Sequence, residues 1–286
     1  GGTSGAGVGF TRDPATGENR LYLDFLFNAQ GEDVVSGRHA VTDTGRLPVA
    51  LPEVAQRLED LRHALESTFG DAQEFEFTVQ DGRLYLLQTR TAKRTPWAAL
   101  RTAVEQVREG IATPAQALAR LEGIDLAAIV RRRVADESES ALATAVPASI
   151  GLAVGAIALD TRACERLGAR GQAAILVRND TSTEDIAGIA AAVGVLTARG
   201  GRTSHAAVVA SHMGKVCLVG CEALRIDERS RTVSFGQGTL REGETLCLDA
   251  ERGLVLGKEP EVVVERPEGL LSEVARWRAE AGAAPA

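Results

Sequence analysis

The stretch Leu196-Thr197-Ala198-Arg199-Gly200-Gly201-Arg202-Thr203-Ser204-His205-Ala206-Ala207-Val208-Val209-Ala210 sets one histidine just past a glycine pair and ahead of an alanine-valine run. The apolar segment Val193-Thr197 predicts a strand, and the run after the glycines predicts a helix that Thr203 or Ser204 can cap. His205 then falls at the start of that helix. The first amides of a helix have no partner inside it and their aligned dipoles favour negative charge, so an anion carried on this imidazole would meet ready donors. Neutral imidazole is also a competent nucleophile near neutral pH, its unperturbed pKa being roughly 6.5. Covalent transfer of a phosphoryl group through His205 is the chemistry this arrangement favours.

Around that stretch, short β-type segments alternate with helices. Strands are expected at Ala173-Val177, Val193-Thr197, Val216-Val219, Thr232-Phe235, Thr245-Leu248 and Leu254-Gly257. Thr181-Ser182-Thr183-Glu184 has the spacing of a capping box ahead of an apolar run, so a helix is expected there. From about Leu142 onward the pattern is that of an α/β domain. His212 falls on nearly the same helical face as His205, but no carboxylate or cysteine stands at matching spacing, so a structural role is expected for it. His39 and His63 carry no motif.

Before the polar stretch Asp136-Ser140, three helical runs are expected. The first opens at Pro96 and stops at Gly110, the second opens at Thr113-Pro114, and the third covers Asp125-Val134. The chain opens on Gly1-Gly2-Thr3-Ser4-Gly5-Ala6-Gly7-Val8-Gly9-Phe10, a glycine density that serves either a backbone approaching phosphates or tight turns. Glu74-Arg90 predicts a hairpin around Asp81-Gly82. A two-residue turn would put Glu76 and Gln88 on opposite faces, whereas a three-residue loop over Gln80-Gly82 gathers Phe75, Phe77, Val79, Tyr85 and Leu87 on one face. Glu74, Glu76, Thr78, Gln88 and Arg90 then share the other. A carboxylate beside an amide oxygen suits magnesium, and Arg90 beside them can meet phosphate oxygens.

With 286 residues the chain has room for two domains, and 44% hydrophobic with 25% charged residues suits a globular core. A net charge of -7 argues against nonspecific nucleic-acid binding. No run has the length of a membrane span and none has the form of a secretory leader, which sets the cytoplasm as the expected location. Cys164, Cys217, Cys221 and Cys247 are too few and too irregular for a disulfide scaffold or a paired zinc motif, so buried, reduced thiols are expected. The chain has no initiator methionine and is expected to be a fragment.

The histidine stretch resembles the phosphohistidine signature of the phosphoenolpyruvate-utilising enzymes, and its continuation Met213-Gly214-Lys215-Val216-Cys217-Leu218-Val219-Gly220-Cys221 is similar to the pyruvate, phosphate dikinases among them. Three ordered segments of the first half, Gly1-Glu18, Asn28-Val35 and Leu87-Thr95, resemble the late part of the dikinase ATP-grasp domain. The fold implied is mixed α/β: residues 1–95 as the C-terminal part of an ATP-grasp nucleotide-binding domain, 96–141 as a helical linker, 142–260 as a swivelling β/β/α phosphohistidine domain, and 261–286 as linker or tail. The segments 96–134 and 268–284 are the hinges this implies.

The same resemblance implies an enzyme in which His205 takes a pyrophosphoryl group from ATP and releases AMP. Inorganic phosphate then leaves with the terminal phosphoryl as diphosphate, and phosphohistidine passes its phosphoryl to pyruvate. Arg199, Gly200, Gly201, Thr203 and Ser204 would orient His205 and hold its phosphate. Glu32, Glu76, Gln88 and Arg90 would serve ATP, with Glu76 and Gln88 on Mg2+. Glu74 stands where the family often has aspartate, and Ile150 where it commonly has proline. The pyruvate site would lie on a barrel outside this chain, through which a homodimer is expected, with no nucleic-acid or membrane partner. Phosphoenolpyruvate synthase, antibiotic-phosphorylating relatives and a non-catalytic phosphocarrier module share the Thr-Ser-His-Ala-Ala core and are the alternatives.

Overall fold

The computed structural model describes residues 2–29, 45–136, 140–149, 151–202, 204–236 and 238–283. They form two compact units. One takes the described residues up to Val130 and those from Glu265 onward; the other runs from Arg131 to Val264.

In the first unit β1 (Gly5–Phe10), β2 (Tyr22–Phe27), β3 (Gln73–Gln80) and β4 (Arg83–Thr91) make an antiparallel sheet in the order β2-β1-β3-β4. The glycine-rich opening is therefore neither a phosphate loop nor a turn but an interior strand. A Cβ at Gly5, Gly7 or Gly9 would stand 2.6, 2.4 or 2.3 Å from ring atoms of Phe25, Phe77 and Phe75 respectively. Alternate glycines leave the room these rings occupy, a packing reason that glycine density alone does not reveal. Helices α1 (Leu47–Ala50) and α2 (Pro52–Phe69) cover the rings with Leu47, Val54, Leu58 and Leu65.

The β3–β4 hairpin turns on two residues, Asp81 at φ +49° and Gly82 at φ +75°, so the expected three-residue loop does not form. A bulge between Glu76 and Phe77 shifts the register and brings Glu76 opposite Gln88 and Glu74 opposite Arg90. The expected polar pairing is thus reached by another route. Its cost is that Tyr85 and Leu87, expected on the buried face, are exposed, while Leu84 pairs with buried Val79.

Thr95 caps α3 (Pro96–Arg108), and Thr113 forms a capping box with Gln116 at the start of α4 (Pro114–Arg120), both where the sequence places them. The expected third helix is replaced by a single 3-10 turn, Leu126–Ala128, and by strand β5 (Arg131–Val134) in the second unit. The helix Glu268–Ala283, from the stretch expected as a tail, buries Val274 and Trp277 with Leu100, Val104 and Leu121 of the stretch expected as a linker. At the centre of this unit lies Arg12, fully buried, whose guanidinium bonds Glu66 at 2.9 Å and also reaches Glu105 at 3.2 Å and Glu109 at 2.5 Å. Burial opposes its charge, but the bonds from Glu66 and Glu109 outweigh that and raise its pKa.

In the second unit an eight-stranded sheet runs β6-β16-β15-β8-β9-β10-β11-β7. Its centre is four parallel strands, β8 (Leu152–Ala158), β9 (Ala174–Arg178), β10 (Gly194–Thr197) and β11 (Val216–Val219). Antiparallel strands extend it: β7 (Val146–Pro147) on one side, and β15 (Thr245–Asp249), β16 (Leu254–Leu256) and β6 (Ala143–Thr144) on the other. Alternate side chains face opposite ways along these strands. Leu176, Val195 and Cys217 pack under α5 (Thr161–Ala169), α6 (Ile186–Ala191) and α7 (His205–His212). Ile175, Leu196 and Leu218 pack with Val233, Phe235 and Leu224 of the region holding the small sheet β12-β13-β14, formed by Arg225–Asp227, Thr232–Ser234 and Thr239–Arg241. The layering is β/β/α.

All four cysteines are free and buried. Burial pushes the Cys164 and Cys217 thiols up to about 12, far from the reactive thiolate. In the native protein at pH 8 all four are expected to resist iodoacetamide and to react together once the chain is unfolded. Mass spectrometry after timed alkylation checks this, and rapid native labelling of Cys164 or Cys217 would contradict it.

Candidate functional site

Adjacent parallel strands end side by side in the second unit, and the loops leaving β9, β10 and β11 meet there. Ala198 N–H donates to the Arg178 carbonyl and Arg199 N–H to that of Asn179, both at 3.0 Å, while Cys221 N–H donates to the Thr197 carbonyl at 2.9 Å. The carboxyl ends of parallel strands are where α/β folds place their ligands. From this edge the chain turns through Gly200, at φ +96°, and enters α7.

His205 is the first residue of α7, half-buried, and Ser204 caps the helix by accepting from Ala207 N–H at 3.4 Å. Gly201 lies buried behind it and its carbonyl accepts from Ser204 N–H at 3.1 Å. Arg199 is exposed, with no ion pair among the described residues. Thr203 lies outside the described residues. A helix start, a free guanidinium and an accessible imidazole are the parts a phosphorylated histidine needs.

A residue that sequence reasoning assigned otherwise completes the site. Thr181, expected as part of a cap, is buried, and its Oγ1 lies 3.0 Å from Nδ1 of His205. The capping box falls one residue later, between Ser182 and Asp185. Nδ1 is thus held against the protein, and Nε2 is the ring nitrogen without this contact. A hydroxyl both donates and accepts, so it can hold Nδ1 whichever proton state the ring adopts. The local signal was present in the extra hydroxyl of Thr181-Ser182-Thr183, but its partner lies 24 residues on.

Residues 171–253 match the family model described as PEP-utilising enzyme, mobile domain. The chain carries the mobile domain of the PEP-utilising enzymes. Over 91% of its length it is 44% identical to pyruvate, phosphate dikinase 1, chloroplastic, of Zea mays and to the chloroplastic pyruvate, phosphate dikinase of Flaveria trinervia. Against pyruvate, phosphate dikinase 2 of Zea mays the identity is 43% over the same share. The chain spans about 28% to 30% of the length of these relatives. The strand-turn-helix of the mobile domain that carries His205 lies inside the matched residues.

In the mobile domain, Gly200 is the position where a side chain is least tolerable. A Cβ there would stand 2.9 Å from Ser204 Cβ, on a backbone that side-chain-bearing residues rarely adopt. Gly200→Ala is expected to cost about 1–3 kcal/mol and to displace the cap that sets His205. Thermal unfolding of the mobile domain, followed by far-UV circular dichroism, should show the loss; an unchanged midpoint would contradict it.

The other candidate residues fall in the first unit. Glu76 and Gln88 stand directly opposite each other across β3 and β4, and Arg90 pairs with Glu74 at 2.6 Å, a bond that raises the Arg90 pKa. Two opposed oxygen donors fit a hard cation that completes its shell with phosphate and water. Among the described residues no cluster of three His, Cys, Asp or Glu side chains could hold a metal by itself. Glu32 lies outside the described residues. His212 is exposed in the last turn of α7, where a cation suits the dipole. Among the described residues no helix is long and apolar enough to cross a membrane.

Proposed function

We propose that this chain is the phosphoryl-carrying portion of a pyruvate, phosphate dikinase, with His205 as the covalent carrier. The observation that carries the reading is an imidazole at a capped helix start, tied at Nδ1 and open at Nε2. The Nε2 lone pair attacks the β-phosphorus of ATP, the bond to the α-phosphate oxygen breaks, and AMP leaves. Phosphate attacks the terminal phosphorus and departs as diphosphate, leaving phosphohistidine. The enolate oxygen of pyruvate then takes the phosphoryl group, the N–P bond breaks, and the imidazole is restored. Arg199, Thr203, Ser204 and the first amides of α7 neutralise the travelling charge, which is where most catalysis of phosphoryl transfer comes from.

The first unit would be the closing part of the nucleotide-binding domain. Glu32 and Arg90 would contact ATP, and Glu76 and Gln88 would hold magnesium, which screens the phosphate charge. The pyruvate site is assigned to a part of the protein outside this chain, and the protein to the cytoplasm. The test is to incubate the intact gene product with ATP labelled at the β-position and magnesium. Acid-labile label chased off only when phosphate and pyruvate are both supplied is the expected result. Turnover without phosphate, as in a synthase, would overturn the assignment.

A further inference from the structure

Thr181 can hold His205 only if the loop that carries it is itself fixed, and the residues fixing it are on the page. Asp185 is buried, with one carboxylate oxygen accepting from Ser182 N–H at 3.0 Å and the other 3.3 Å from Arg178 Nε. Arg178, at the end of β9, also donates to the Leu159 carbonyl at 3.0 Å, anchoring the pair to the end of β8. Within the loop, Asp180 accepts from Thr181 N–H at 2.8 Å and Asn179 is held by Arg199 N–H. Asp185 and Arg178 touch neither His205 nor the space in front of its ring.

We propose that Asp185 and Arg178 are positioning residues that, through Thr181, decide which imidazole nitrogen of His205 is phosphorylated. The inference rests on His205 being the phosphoryl carrier. With the loop clamped, Thr181 Oγ1 occupies Nδ1 and only Nε2 meets an incoming phosphorus. With the clamp released, the ring rotates and Nδ1 becomes available as well. A buried carboxylate against a guanidinium suits the task, because removing either partner leaves the other without its charge and loosens the loop from within.

The experiment uses the whole chain, labelled with 15N at histidine, and potassium phosphoramidate as donor. In that reaction the donor's P–N bond breaks, ammonia leaves, and an imidazole nitrogen forms the new N–P bond. Phosphorus-nitrogen NMR at alkaline pH reads which nitrogen carries the phosphate. The wild type is expected to show Nε2 alone. Thr181→Val, Asp185→Ala and Arg178→Gln should each show a mixture of Nε2 and Nδ1 products and label about tenfold more slowly, as misplaced reacting groups do. Thr181→Ser, which keeps the hydroxyl, should restore Nε2. Amide spectra establish that each variant is folded, and Arg178→Gln decides the matter if Asp185→Ala does not fold. Wild-type labelling at Nε2 with no change in folded Asp185→Ala or Arg178→Gln would overturn this inference and leave the carrier assignment standing. A wild type that takes no phosphate on His205 would overturn both.

Discussion

His205→Asn is expected to abolish acid-labile phosphate on this chain while leaving its fold intact. Asparagine keeps a polar group at the first position of α7, and the Ser204 cap is unaffected, so the helix start survives. What disappears is the nucleophile. An amide nitrogen, its lone pair delocalised, cannot replace an imidazole nitrogen as host for phosphorus. Loss of labelling to background, with unchanged circular dichroism and melting, is the expected result. Residual acid-labile label at more than a trace would place the carrier elsewhere.

Arg12→Ala is expected to unfold the first unit more readily than any other single change. It leaves Glu66 buried with Gln106 Nε2, 3.2 Å away, as its one remaining side-chain donor among the described residues. Removing one partner of a buried ion pair costs about 3–5 kcal/mol, which lowers the midpoint of a unit of this size by about 10 °C or more. Both tryptophans of the chain, Trp97 and Trp277, lie in the first unit, so tryptophan fluorescence reports its unfolding separately from that of the mobile domain. The double change Arg12→Met with Glu66→Leu should recover much of the loss, since an apolar pair needs no charge compensation. An Arg12→Ala midpoint within 2 °C of the wild type, a margin of about 1 kcal/mol, would contradict the reading.

What the sequence made legible was whatever its neighbours decide. Val216–Val219 is a strand because four apolar residues between turns are buried on both sides, and the observed bounds match the expected ones. The starts of α3 and α4 were legible because Thr-Pro pairs carry their own capping chemistry. His205 was legible for the same reason: glycine, cap and helix are contiguous. The misreadings are all cases where a distant partner decides. Gly5, Gly7 and Gly9 serve rings on β2 and β3, and Arg131–Val134 is a strand because it pairs with Val262–Glu265 (β17). The register of Glu76 was inferred from turn length, whereas a bulge sets it. Thr181 looked like a cap because its true partner is the histidine itself.

The central claim is tested most directly by locating the phosphate on the wild-type chain. After labelling with phosphoramidate and digestion with trypsin at neutral pH, the fragment Thr203–Lys215 contains His205, His212, Thr203, Ser204 and Ser211. Electron-transfer fragmentation separates these positions. The account predicts phosphate on His205 and none on His212 or the hydroxyls; phosphate on His212, or on another peptide with His205 bare, would contradict it.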